Sequence, residues 1–158
     1  MFESNSRPEV TNSPTWVMPD FRSSQEVGEL ERVTKLFRPN DVHGLTHRFY
    51  ERVASASVVP LTQELLATLD NTDAADVKQG DFETVAMHVD AGMSDDSGNK
   101  RAWEALKQKM ELGAEMDMPV IVKIDGVYHL MSGNTRLMVT QALGIVPDVL
   151  IVDLTDEE

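Results

Sequence analysis

The alternation of apolar and polar positions changes character twice along the chain. Residues 1–25 show no period and are rich in Ser, Asn and Pro, as in "SNSRPEVTNSP", a composition too poor in apolar surface to fold alone. A disordered arm is expected over 1–25, with Trp16, Val17, Met18 and Phe21 able to dock it on the body or on a partner. From Glu26 apolar residues recur every three to four positions, at Val27, Leu30, Val33 and Phe37. That spacing predicts an amphipathic helix, ended at Arg38-Pro39. Asn40-Asp41 offers a cap to a second helix, with Val42, Leu45, Phe49 and Val53 on one face. Residues 60–69, "PLTQELLATL", fit a helix or a strand, with helix preferred. "DFETVAMHVDAG" predicts a helix with Phe82, Val85, Ala86 and Val89 inward, "MSDDSGNK" (93–100) a loop, and "RAWEALKQKMELG" a helix with Trp103, Leu106 and Met110 inward.

After Met118-Pro119 the period shortens. "VIVKI" is a β-branched run, Asp125-Gly126 is a two-residue hairpin signal, and "VYHLM" is the returning strand. A two-residue turn sets Ile124 against Val127, Lys123 against Tyr128, Val122 against His129 and Ile121 against Leu130. Both faces of that hairpin are largely apolar, so cover on both sides is expected. "NTRLMVTQAL" predicts a helix closed by Gly144, "PDVLIVDL" a last strand, and "TDEE" an acidic end. The expectation is an α+β protein with one domain over 26–158. A helical part occupies 26–117, and a strand-strand-helix-strand core occupies 118–154.

A chain of 158 residues suits one domain, and 41% hydrophobic with 26% charged residues is ordinary for a globular protein. No apolar run nears eighteen residues and the first residues lack a signal-peptide pattern, so a cytoplasmic protein with no membrane partner is expected. The absence of cysteine removes disulfides, thiolate metal sites and thiol nucleophiles. A net charge of −13 disfavours tight binding to duplex DNA. Between Glu64 and Asp96 nine acids face one base, Lys78, whereas Arg32, Lys35, Arg38, Arg48 and Arg52, and later Lys100, Arg101, Lys107 and Lys109, form two basic stretches. The acidic belt and the N-terminal helices are the surfaces expected to meet a protein partner, unless these charges are simply solvated helix faces.

The strand-to-helix junction holds the densest candidate chemistry. A helix that starts straight after a strand presents N–H groups with no intrahelical acceptor, and these attract anions, phosphate above all. Gly133 permits close approach, Ser132 and Thr135 add hydroxyls, Asn134 adds an amide, and Arg136 adds a fork of donors suited to phosphate oxygens. The plainer account stays open: Gly133 makes the turn, Ser132 or Asn134 caps the helix, and Arg136 pairs with an acid.

The run "PVIVKIDGVYHLMSGNTRLMVTQALGI" followed by "PDVLIVD" resembles the core of the ParB/sulfiredoxin superfamily. The shared order is a Pro-apolar strand, a hairpin, a glycine-x-x-arginine helix start, and leucine-glycine before a final strand. The resemblance covers the C-terminal third and implies a small mixed sheet with packed helices. It also implies that Ser132, Gly133, Asn134, Thr135 and Arg136 bind the phosphates of a nucleoside triphosphate with Mg²⁺. Relatives include CTP-binding partition proteins, sulfiredoxins, a free-serine kinase and small nucleases or ATPases, some from phages and mobile elements. Asn134 and Thr135 depart from all of them. They replace the cysteine and histidine of sulfiredoxins, the glutamate and arginine of partition proteins, and the two histidines of the kinase. Sulfinic-acid reduction is excluded, and no catalytic residue is assigned.

Other residues carry weaker signals. Asp125 suits a hairpin turn as well as a metal, and His129 suits a packed strand face as well as acid–base work. Lys123, opposite Tyr128, could reach an anion. His43 and His47 share a helix face but lack a third ligand, and the acids of "SDDSGNK" have the wrong spacing for calcium, so no metal site is assigned. The leading expectation is a nucleotide-binding ParB-like protein, a phosphotransferase (kinase) or nucleoside triphosphatase, with an acid from the N-terminal part as base. The alternatives are a noncatalytic protein-interaction module with a vestigial phosphate turn, and a nucleic-acid-binding or nuclease-like regulator. The last needs the basic stretches around Arg48 and Lys107 to converge beside Arg136.

Overall fold

A computed structural model describes residues 14–70, 74–91 and 96–155. The chain is α+β. Strand β1 (Thr15–Val17) leads to α1 (Ser24–Phe37), α2 (Val42–Arg52), β2 (Ser57–Pro60), α3 (Gln63–Thr68), α4 (Phe82–Ala91) and α5 (Asp96–Glu111). There follow β3 (Glu115–Asp117), β4 (Val120–Ile124), β5 (Val127–Ser132), α6 (Asn134–Leu143) and β6 (Asp148–Asp153). Among the described residues no helix is long and apolar enough to cross a membrane.

The main sheet has the order β2-β6-β4-β5, with β4 parallel to β6 and the other pairs antiparallel. Side chains alternate along each strand, so the sheet feeds two cores. Ile121, Leu130 and Val149 pack under α3 to α6 with Leu66, Val85, Trp103, Met110 and Leu137. Val120, Val122, Ile124, Leu150 and Val152 pack under α1 and α2 with Leu30, Val33, Leu45 and Phe49. The expected two-sided cover of the hairpin is present.

The hairpin register is the expected one from Ile124↔Val127 to Ile121↔Leu130. It then slips, because Val120 pairs with Ser132 and Met131 is left without a residue opposite. Such a bulge bends the strand and re-aims the side chains beyond it. Ser132 thereby comes to the side of the sheet that α1 covers, and Arg32 Nη2 donates to the bulged Met131 carbonyl at 3.0 Å.

Several expectations are corrected. The arm expected over 1–25 lies partly outside the described residues, but within them Trp16 sits in a strand opposite Met116 and packs against both cores, and α1 already begins at Ser24. Residues 60–69 are not one element: Pro60 ends strand β2, and α3 starts after Thr62, whose side chain accepts from Leu65 N–H. Val58-Val59 suit a strand, and Pro60 is tolerated because β2 is at the sheet edge. The loop expected over 93–100 is helical from Asp96, an acid of the kind a helix start favours. In α1, Val27 is 44% exposed whereas Glu26 is 4% exposed. The buried stripe is Glu26, Leu30, Val33 and half-buried Phe37, rotated so that an acid faces inward.

Candidate functional site

The turn between β5 and α6 is built by Gly133, the α6 N-cap, at φ 99°. This left-handed conformation suits glycine alone, and a Cβ here would fall 2.9 Å from Pro119 Cα and 3.1 Å from an Arg136 terminal nitrogen. Gly133 has no side chain to cap the helix, whose first bond runs from Leu137 N–H to Gly133 O at 2.9 Å. The N–H groups of Asn134, Thr135 and Arg136 therefore lack intrahelical acceptors. All three residues are half-buried at the rim of the turn.

Arg136 folds back over this turn. Its position runs against the helix dipole, which disfavours a cation in the first turn. Its Nε is buried without a hydrogen-bond partner. Burial pushes the guanidinium below its ordinary pKa, while Glu26, Asp117 and Glu29 push it back up through space. The balancing acids are thus nearby, acting at a distance rather than through a close ion pair among the described residues.

Glu26 is the residue that pattern reading missed. Ser132 Oγ donates to Glu26 Oε1 at 3.0 Å in a buried contact. Burial raises the Glu26 carboxyl above its ordinary value; the Ser132 hydrogen bond and Arg136 oppose that shift, and Asp117 and Glu29 add to it. The sequence did hold a signal. Ser23 and Glu26 stand at capping-box spacing, in which the acid normally turns back to the cap N–H. Here Ser23 Oγ accepts from Glu26 N–H at 3.3 Å, but Ser23 N–H is already bound to Asp20 O at 3.0 Å. The carboxylate is left free to reach across to β5.

The ionisation of Glu26 has a stability consequence. Its folded pKa lies above the unfolded one, so the stability this group contributes is complete below about the ordinary 4.5 and is lost as pH rises through the raised value. Glu26→Gln keeps an acceptor for Ser132 and removes the ionisation. The variant should melt above the wild type at pH 7, and the gap should close towards pH 4; thermal unfolding at both pH values checks this, and an equal gap would refute it.

The remaining candidates are engaged elsewhere. His129 is buried on the α1 side, its ring 4.0 Å from Phe37 and its Nδ1 3.3 Å from Asp70 Oδ2. Desolvation lowers its pKa, against the pull of Asp70 and Asp125. Asp125 sits in the hairpin turn and binds Arg38 Nη2 through both oxygens at 2.7 Å. Lys123 lies 5.6 Å from the Tyr128 ring centroid. His47 pairs with Glu51 at 3.3 Å. Arg48 and Lys107 do not converge: Arg48 Nη1 binds Leu154 O beside the α1–α2 core, and Lys107 lies over Phe82, which packs against the opposite core.

No protein-family model, curated protein or solved structure matches the chain. The chemistry of the turn therefore rests on its own residues: a helix start at Gly133, a half-buried arginine whose Nε is buried, and a buried carboxyl held by Ser132.

Proposed function

We propose that this chain is a nucleotide-binding protein of ParB/sulfiredoxin-like fold that holds phosphates at the start of α6 and acts as a phosphotransferase or nucleoside triphosphatase. The observation that carries the reading is Arg136. Its Nε is buried without a hydrogen-bond partner among the described residues, beside a turn whose N-cap, Gly133, has no side chain to cap the helix. Phosphate oxygens accept from a guanidinium and are favoured at a helix start. Gly133 leaves room at the backbone, Asn134 and Thr135 offer N–H groups, and Ser132 is tied to Glu26 and holds the turn from beneath. A bound triphosphate supplies the transferable phosphoryl group, and a magnesium ion would arrive on its oxygens, keeping most of its water.

Titration of ATP, CTP, GTP and UTP with magnesium tests the reading. The wild type should bind at least one of them, and Arg136→Ala should weaken it about ten- to a hundredfold, the loss of a charged hydrogen-bonding group. Equal binding by both proteins, or none by either, would overturn it. The noncatalytic interaction module is the second reading. The acids around Arg136 favour it, as does the groove between α1 and α2, where Val27 and Tyr50 are exposed beside His43 and Thr46.

A further inference from the structure

The β4–β5 hairpin turn joins a reactive pair of residues to a side chain that restrains it. Asp125-Gly126 is the one place in the chain where an aspartate or an asparagine precedes a glycine. An aspartyl side chain closes a five-membered ring when the next backbone nitrogen attacks its carboxyl carbon, and glycine, with no side chain, hinders that attack least. Both residues are exposed, and a Cβ built on Gly126 would meet nothing within 4 Å, so the glycine side of the turn is open space. Asp125 also stands at φ 54°, a conformation that costs an L-residue energy.

Against this stands Arg38, the C-cap of α1. Its Nη2 donates to both Asp125 oxygens at 2.7 Å. The arginine is itself anchored: its backbone N–H donates to Thr34 O at 2.8 Å, and its Nη1 to Phe37 O at 2.9 Å. We propose that Asp125-Gly126 is a site of spontaneous aspartate isomerisation, and that the grip of Arg38 keeps it unreacted in the folded protein.

The chemistry needs only water. Gly126 N bonds to Asp125 Cγ, and the carboxylic OH leaves with the amide proton as water. Water then returns to one of the two ring carbonyls. Addition at Cγ breaks the new bond and restores aspartate. Addition at the Asp125 backbone carbonyl carbon breaks the original peptide bond, and the chain then runs through the side chain as isoaspartate. The mass is unchanged, and nothing is oxidised or reduced.

Arg38 opposes ring closure in two ways. The reacting form is the neutral acid, whereas two charge-assisted hydrogen bonds favour the carboxylate. In keeping with this, the Arg38 hydrogen bond holds the Asp125 carboxyl below its ordinary pKa. The two-pronged grip also fixes a side chain that must swing its carbon onto the Gly126 nitrogen. Isoaspartate would lengthen a two-residue turn by one backbone carbon, and the pairing that starts at Ile124↔Val127 would lose the geometry that sets it.

Prolonged incubation of the full chain in mildly acidic buffer, then digestion and chromatographic separation of the isomeric peptides spanning residues 125–126, reads the rate. The folded wild type should isomerise several-fold more slowly than folded Arg38→Ala. Arg38→Lys, which keeps the charge but not the fork, should fall between them. In denaturant all three should react at one common rate. Equal rates in the folded wild type and folded Arg38→Ala would overturn the inference, as would a denatured chain that forms no isoaspartate. If neither variant folds, the wild type decides: a folded rate equal to the denatured one overturns it.

Discussion

Gly133→Ala is expected to destabilise the protein by about 2–5 kcal/mol and to abolish anion binding by whatever remains folded. At φ 99° an alanine carries the left-handed penalty of about 1–2 kcal/mol. Its methyl would also lie 2.8 Å from Pro119 Cβ and 2.9 Å from Pro119 Cα. Pro119 cannot step aside: it is buried, and its carbonyl accepts Leu150 N–H at 3.0 Å between β4 and β6. Overpacking against such a neighbour adds about 1–3 kcal/mol. The same methyl pushes on the Arg136 guanidinium 3.1 Å away, so the donor fork moves with the turn. Denaturant unfolding measures the first effect and nucleotide titration the second. A loss of stability below about 1 kcal/mol would mean that the turn has another geometry.

Phe49→Ala should cost about 3–5 kcal/mol, the usual penalty for emptying a buried aromatic position. Phe49 is fully buried and anchors α2 to the face of the sheet formed by Val122, Leu150 and Val152. Phe21 meets it edge-on at 5.4 Å, and Tyr50 at 5.5 Å. Phe21 precedes α1, so truncation loosens the approach to Glu26 as well as the seat of α2. Urea unfolding checks the value. A cost under about 1 kcal/mol would show that α2 does not close this core.

The C-terminal third was legible because its punctuation is local. Asp125 at φ 54° and Gly126 at φ 81° are the two left-handed residues that a tight hairpin turn needs, and they set the register without help from elsewhere. Gly133 and Gly144, both at positive φ, bracket α6 at the residues expected. The small parallel pair was not legible, since Trp16 and Met116 are far apart in the sequence and neither segment carries a strand pattern of its own. Nor was the bulge, which depends on Val120 pairing with Ser132 after the hairpin has begun in regular register. The phase of α1 was hidden for a related reason. A stripe through Val27 and one through Glu26 share Leu30, Val33 and Phe37, and only a partner on β5 decides between them. The five residues at the turn stand out in the sequence; the buried acid beneath them shows there only as one half of a capping box with Ser23.

Ser132, at the end of β5, is held by α1 and leads straight into α6, and that placing implies a mechanical property. One helix belongs to the core on one face of the sheet and the other helix to the core opposite, and the Ser132–Glu26 hydrogen bond ties the strand that leads into α6 to α1. That bond is a rivet between the two layers: loosening α1 frees the residue that precedes the α6 N-cap.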